Sequence, residues 1–168
     1  KEASLLPTVE TIGVSSVTYT DCTLTGRVIG NGGELLLGQG FCLSLSTAPT
    51  LNDSCYSANM TPGTFELSIG SLQPNTEYHL RAYATNVRGT AYANEITFST
   101  LALTTPTVTT TTAYNVSYTT AMTGGDVTDD GGQTVTARGV SFATHAEPTT
   151  VDQTVPAADS TQLLADLT

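Results

Sequence analysis

Residues 72–84 read Leu72-Gln73-Pro74-Asn75-Thr76-Glu77-Tyr78-His79-Leu80-Arg81-Ala82-Tyr83-Ala84. After the proline-containing turn, Tyr78, Leu80, Ala82 and Ala84 fall on one side of an extended chain, and polar or bulky residues fall on the other. A two-residue alternation is the period of a strand that buries one face. The stretch therefore predicts a half-buried strand that is entered through a turn.

The same alternation recurs along the first hundred residues. Further strands are predicted from Cys22 to Val28, over 35–45, from Tyr56, over 65–69 and over 91–100 as the last strand. Clusters of Gly, Asn and Pro separate them, and no stretch has a helical period. These short strands with turn signals between them predict an all-β fold, an antiparallel β-sandwich.

The chain also repeats itself at a constant offset of 99 residues. Each matched stretch contains a proline or a pair of glycines. The matches are Pro7-Thr8-Val9 with Pro106-Thr107-Val108, Gly32-Gly33 with Gly131-Gly132, and Pro49-Thr50 with Pro148-Thr149. A period of about 100 residues is that of a sandwich domain. We therefore predict a complete sandwich over 1–101, a linker over 102–105 and a partial second copy over 106–168.

The second copy has no counterpart for residues 70–100, because Thr168 matches position 69. A sandwich without its last two strands leaves a central strand unpaired, which favours aggregation. Two interpretations follow. Either the chain is a fragment of a longer one, or a strand from another copy completes the sheet by donor-strand complementation.

Three motifs carry a family resemblance. The run Leu72-x-Pro74-x-Thr76-x-Tyr78 resembles the tyrosine corner of fibronectin type III domains, in which the Tyr hydroxyl bonds to upstream backbone. Residues 81–86 and 89–92, with 40–44, resemble bacterial fibronectin III-like repeats. Two departures are Leu43 and Phe142, which stand where those repeats carry Trp.

The resemblance implies tandem immunoglobulin-like sandwiches in a secreted or surface-anchored bacterial protein. The resemblance also implies an extracytoplasmic setting, and the chain is acidic. The net charge of −10 with only five Lys and Arg excludes nucleic-acid binding as the main function, because that binding needs clustered basic residues. No stretch approaches the roughly 18 apolar residues of a membrane span.

The three cysteines allow one disulfide. Cys42 and Cys55 flank the loop around Pro49 almost symmetrically, so they can face each other on paired strands. The alternatives are three free cysteines or a pairing of Cys22, which has the inward parity of its strand.

Candidates for metal binding and catalysis are few. Asp126, Asp129 and Asp130 lie beside two glycines and are weak candidates for a calcium site, but they lack EF-hand spacing. A solvated hairpin tip is the favoured interpretation. His79 and His145 have no nearby nucleophile in an elbow or at a helix start. We predict no enzyme activity and no cofactor.

Two aromatics remain as candidate ligand contacts. Tyr83 lies on the outward side of its predicted strand, and Tyr92 begins the last one. Exposed tyrosines stack on sugars, but cross-strand aromatic pairs also stabilise a sheet without any ligand. The sequence therefore predicts a structural spacer or display module. The alternative is an adhesin-type module that recognises a glycan or a host protein through loops or this exposed tyrosine patch.

Overall fold

The computed structural model describes residues 5–60 and 63–157. It divides the chain into two compact units, 1–102 and 103–168. All regular structure in the described residues is β-strand, which confirms the predicted all-β class. In these residues no helix is long and apolar enough to cross a membrane.

Residues 5–60 and 63–102 of the first unit contain eight strands in two antiparallel sheets. The strands are β1 (Thr8–Ser15), β2 (Cys22–Gly30), β3 (Leu36–Ser44), β4 (Ser54–Ser57), β5 (Gly63–Ile69), β6 (Glu77–Asn86), β7 (Gly89–Tyr92) and β8 (Ile96–Ser99). One sheet has the order β1-β2-β5. The other has the order β4-β3-β6-β7, with β8 also paired to β6.

The core lies between these two sheets. Leu24, Phe41 and Leu80 are fully buried there, and the rings of Phe41 and Phe65 lie 5.1 Å apart. A Cβ atom on Gly26 would lie 2.9 Å from the Phe65 ring, so glycine leaves the space that these two rings fill. The alternation of the strands thus supplies one apolar face from each sheet.

The last strand differs from the prediction, because 91–100 forms two strands, β7 and β8. Between them Asn94 turns towards the opposite sheet. Its side chain accepts a hydrogen bond from Thr11 N–H at 3.1 Å and donates one to Thr11 O at 3.2 Å. Ala93 N–H still donates to Ala82 O on β6 at 2.9 Å, whereas Asn94 and Glu95 lie between the two strands. The short strand predicted from Tyr56 begins earlier, at Ser54.

The described part of the second unit, residues 103–157, contains four strands in two separate sheets. β9 (Thr107–Tyr114) pairs with β10 (Met122–Asp129), and β11 (Gly139–Phe142) pairs with β12 (Gln153–Pro156). β9 is exposed along its whole length. Residues 158–168, which belong to the predicted partial copy, lie outside the described residues.

Loop hydrogen bonds of the first unit recur in the second at the 99-residue offset. Four backbone N–H to O bonds have such a counterpart: Leu5 to Gly32 with Thr104 to Gly131, Thr18 to Asp21 with Ser117 to Thr120, Asp53 to Thr50 with Asp152 to Thr149, and Ala58 to Gln39 with Ala157 to Arg138. Two non-glycine residues with positive φ, Ser16 and Ala48, are likewise matched by Asn115 and Glu147. The two units therefore share loop conformations at matched positions.

Candidate functional site

The run Leu72 to Tyr78 connects β5 in one sheet to β6 in the other. The Tyr78 hydroxyl accepts a hydrogen bond from Gln73 N–H at 3.0 Å, and Thr76 Oγ1 donates one to Pro74 O at 2.9 Å. Leu72 is buried in the core. A buried hydroxyl that holds upstream backbone fixes the path of the chain between the sheets.

Replacing Tyr78 by Phe should lower the free energy of unfolding of the first unit by about 1–2 kcal/mol, because Gln73 N–H loses its acceptor while the ring keeps its place. The ring is stacked on Phe98 at 5.7 Å, which the substitution preserves. Urea denaturation of the variant measures the loss. Tyr19→Phe, at a partly exposed position, is the matched control. An unchanged midpoint in Tyr78→Phe would contradict this structural role.

The structure contains a disulfide between Cys42 and Cys55, which are directly opposite each other on β3 and β4. Phe41 and Leu43 face the core, so Cys42 between them lies on the outer face of the sheet. Of the pairings left open by the sequence, the structure therefore has the bridge across the Pro49 loop. Cys22 is a free, buried thiol, and burial raises its pKa to about 11, with a smaller contribution from Asp21.

Tyr83 and Tyr92 form a cross-strand pair on the same outer face. Tyr83 is only 6% exposed, so it is not the exposed aromatic that a tyrosine patch requires. Its ring lies opposite Gly40, and its hydroxyl lies 3.4 Å from Ser57 Oγ on β4. A Cβ atom on Gly40 would lie 2.0 Å from Tyr56 O, so glycine at this position lets the backbone of β4 approach closely.

Tyr92 is partly exposed but already engaged. Its hydroxyl accepts a hydrogen bond from Leu51 N–H at 3.0 Å, which holds the loop between β3 and β4. The guanidinium of Arg81 lies 5.0 Å from the Tyr92 ring centroid, and Arg81 Nε donates to Ala93 O at 2.9 Å. The cation–π contact and these hydrogen bonds occupy the polar groups of this face. Only part of the Tyr92 ring remains available to a ligand.

Glu95 binds the loop between β3 and β4 at a second point, Ala48. Its carboxylate accepts hydrogen bonds from Ala48 N–H and from His79, whose Nδ1 lies 2.9 Å from Glu95 Oε1. The bond from Ala48 N–H, followed by that from His79, lowers the pKa of Glu95. His79, expected on a solvated surface, is thus largely covered, with a side chain that is 15% exposed.

This hydrogen bonding predicts a loss of loop stability in acid. Because the folded-state pKa of Glu95 is lowered, its contribution is present above the ordinary value of 4.5 and disappears as pH falls through the folded-state pKa. We expect Glu95→Gln to lower the melting temperature at neutral pH and to flatten its dependence on pH below about 5. Glu77→Gln, at an exposed position, serves as the control. Parallel pH profiles for wild type and Glu95→Gln would contradict the assignment.

Asp129 and Asp130 of the second unit accept hydrogen bonds from backbone of the turn in which they lie. Asp129 Oδ1 accepts from Gly131 N–H at 2.7 Å, and Asp130 Oδ1 accepts from Gly132 N–H at 2.8 Å. Asp126 lies in β10 opposite Thr109. Within 5–60 and 63–157, no three His, Cys, Asp or Glu side chains are grouped so as to hold a metal ion.

Sequence reasoning did not identify the residues that organise this face and its opposite sheet. Glu95 binds the β3–β4 loop at Ala48, and Arg81 donates to Ala93 O beside the Tyr92 ring. Thr11 links the two sheets, because its hydroxyl accepts a hydrogen bond from Ala82 N–H at 2.9 Å. Strand β1, which contains Thr11, is not among the strands predicted from the sequence, and a threonine by itself does not indicate whether it is buried.

Comparisons with models of protein families and with curated proteins gave no match. Among solved structures, the sensor domain of the anti-sigma factor RsgI4 from Pseudobacteroides cellulosolvens is 20% identical with a TM-score of 0.43, covering 60% of this chain and 100% of that one. A fibronectin type III domain of the human KIAA0970 protein is 15% identical with a TM-score of 0.39, covering 58% and 75%. The third fibronectin III domain of the human KIAA0343 protein is 15% identical with a TM-score of 0.37, covering 64% and 93%.

By its own strand order and connections, the first unit is an antiparallel sandwich of the fibronectin type III-like kind.

Proposed function

We propose that this chain is a non-catalytic spacer or display segment of a bacterial secreted or surface-anchored protein, built from repeated β-sandwich modules. One observation carries the proposal, namely that the chain enters the first unit at one end and leaves it at the other. A module that separates its two ends by its full length extends whatever precedes it away from whatever follows.

The hydrogen bonds at the two ends define this path. Leu5 N–H donates to Gly32 O at the end where β2 turns into β3. Leu101 N–H donates to Thr18 O at 3.0 Å, at the opposite end, where β1 finishes. β2 runs between these ends with 9 residues, which corresponds to about 30 Å of extended chain.

The loop hydrogen bonds shared at the 99-residue offset support a second copy of the same module over 106–168. Reuse of a domain along a chain is typical of spacers, because each copy folds on its own core. The Cys42–Cys55 bridge also favours an extracytoplasmic setting, since disulfides persist in oxidising compartments.

The side chains of the candidate face support a structural role for it. Tyr92, Glu95 and Arg81 each bond to backbone of the same unit. These groups hold loops in place and are already paired, so a ligand would have to displace or share their partners. The second candidate function is that of an adhesin module, which the partly exposed ring of Tyr92 beside Arg81 favours.

A binding screen of the 168-residue chain against glycans and matrix proteins separates the two functions. A spacer is expected to show no saturable binding, with the first unit shown to be folded in the same sample by circular dichroism. Saturable binding that Tyr92→Ala abolishes and Tyr19→Ala leaves intact would replace the spacer by the adhesin.

A further inference from the structure

Exposed aliphatic side chains gather at the end of the first unit where the chain enters. Leu35 is 78% exposed, Leu5 65% and Val87 63%. Leu6 and Leu37, near the same end, are also exposed. Exposed apolar groups that form a contiguous patch mark interaction sites, whereas single ones need no explanation. We call these five residues the apolar end.

Hydrogen bonds bring the three segments of the apolar end together. The buried side chain of Asn86 donates from Nδ2 to Leu5 O at 2.7 Å and to Asn31 O at 2.9 Å. The N-terminal segment and the β2–β3 turn therefore meet at the end of β6, just before Val87. A Cβ atom on Gly89 would lie 3.3 Å from Leu6 Cδ2, so Leu6 lies against the β6–β7 turn.

The fold itself does not require these apolar residues. At the 99-residue offset, Leu5, Leu6, Leu35 and Leu37 are matched by Thr104, Thr105, Thr134 and Thr136. The second unit nevertheless keeps the hydrogen bond from Thr104 N–H to Gly131 O at this point. The apolar side chains of the first unit thus serve something other than the shape of the turn.

The charge distribution indicates which partner fits. The chain carries 15 acidic residues against five Lys and Arg, so copies of it repel each other over most of their surface. The charges at the apolar end are balanced: Glu34 and Arg88 lie in the turns, and Glu10 and Arg27 form a salt bridge at 3.3 Å behind them. At this end two copies can approach without the repulsion that the net charge imposes elsewhere.

We propose that the apolar end is a self-docking surface, through which two copies of this chain associate end to end in a symmetric contact. A symmetric contact uses the same patch on both copies, so an apolar, locally neutral patch is complementary to itself. The proposal goes beyond the spacer function, since it joins two chains where the spacer only extends one. Five side chains are far fewer than the 20–30 residues on each side of a standard interface, so we expect a dissociation constant of the order of 100 µM.

Sedimentation equilibrium of the 168-residue chain over a range of concentrations tests the proposal. The average mass should rise towards that of a dimer as concentration increases. Added NaCl should strengthen the association, because it screens the repulsion between two acidic chains while apolar contact persists. The quadruple variant Leu5→Thr/Leu6→Thr/Leu35→Thr/Leu37→Thr, which introduces the residues of the second unit, should weaken association at least about tenfold.

Two further variants control for folding and for location. Leu45→Thr/Leu51→Thr removes exposed leucines from the β3–β4 loop at the opposite end and should leave association unchanged. Leu35→Glu keeps the remaining apolar residues but puts two like charges into a symmetric contact, and it should abolish the dimer. Urea denaturation checks that each variant keeps the stability of the wild type.

Several outcomes would overturn the proposal. They are a wild-type chain that stays monomeric at about ten times the expected dissociation constant, a dimer that survives Leu35→Glu, and a dimer that dissociates on adding salt. Binding of an apolar dye at this end by a strictly monomeric chain would equally overturn self-docking, and it would assign the surface to a different partner.

Discussion

Replacing Phe41 by Ala should lower the free energy of unfolding of the first unit by about 3–5 kcal/mol, the usual range for removing a buried aromatic ring. Phe41 is completely buried between the two sheets, and its ring contacts Phe65. Gly26, on the facing strand, has no side chain to fill the space that the ring would leave. Urea denaturation followed by circular dichroism measures the loss.

The matched control is Leu45→Ala, just beyond the same strand, where the side chain is 60% exposed. Its expected effect is within about 0.5 kcal/mol. A loss below about 1 kcal/mol in Phe41→Ala would mean that Phe41 is not at the centre of the core, and the assignment of the two facing sheets would fall with it.

The second large effect is expected from removing the disulfide. Cys42→Ser/Cys55→Thr introduces the residues at the matched positions of the second unit, Ser141 and Thr154, where β11 and β12 pair without a bridge. The variant should be less stable by about 2–4 kcal/mol, because the bridge closes a loop with a sequence separation of 13 and so restricts the unfolded chain.

Reduction provides an independent check on that prediction. Reductant should destabilise the wild-type chain by a similar amount and leave the double variant unaffected. Equal midpoints for the oxidised and reduced wild type would contradict a stabilising role of the bridge.

Much of the fold follows from strand period alone. Tyr78, Leu80, Ala82 and Ala84 are predicted to face inward, and all four are buried. The pattern succeeds because each sheet has one apolar face, so that alternation in the sequence directly reflects burial. The hydrogen bond of the Tyr78 hydroxyl to Gln73 was also predictable, because the motif that indicates it spans only seven neighbouring residues, Leu72 to Tyr78.

Contacts between distant segments account for what sequence reasoning missed. The break between β7 and β8 depends on Asn94 bonding to Thr11, 83 residues away, and no local pattern announces such a bond. Likewise Tyr83 has outward parity but is covered, and its hydroxyl lies 3.4 Å from Ser57 Oγ on β4, a strand 26 residues away in the sequence. Parity determines which side of a sheet a residue is on, but not what covers that side.

For the candidate site too, the sequence predicted the side of the sheet but not the contacts made there. Tyr83 and Tyr92 were expected on one outward face, and they are neighbours there. The Arg81 contact with the Tyr92 ring and the Glu95 bond to Ala48 were not expected, because they depend on how a loop folds back onto the sheet. Cysteine spacing left several pairings open, and the register of β3 against β4 selects one of them.

The distance between the two ends of the first unit tests the spacer proposal most directly. Labels attached at positions 5 and 101 of the full chain, where both side chains are exposed, report this distance by pulsed electron spin resonance. The proposal predicts a single narrow distribution centred near about 30 Å, the length of a nine-residue strand. A distribution centred below about 15 Å would mean that the chain enters and leaves at the same end, and a module of that kind cannot serve as a spacer.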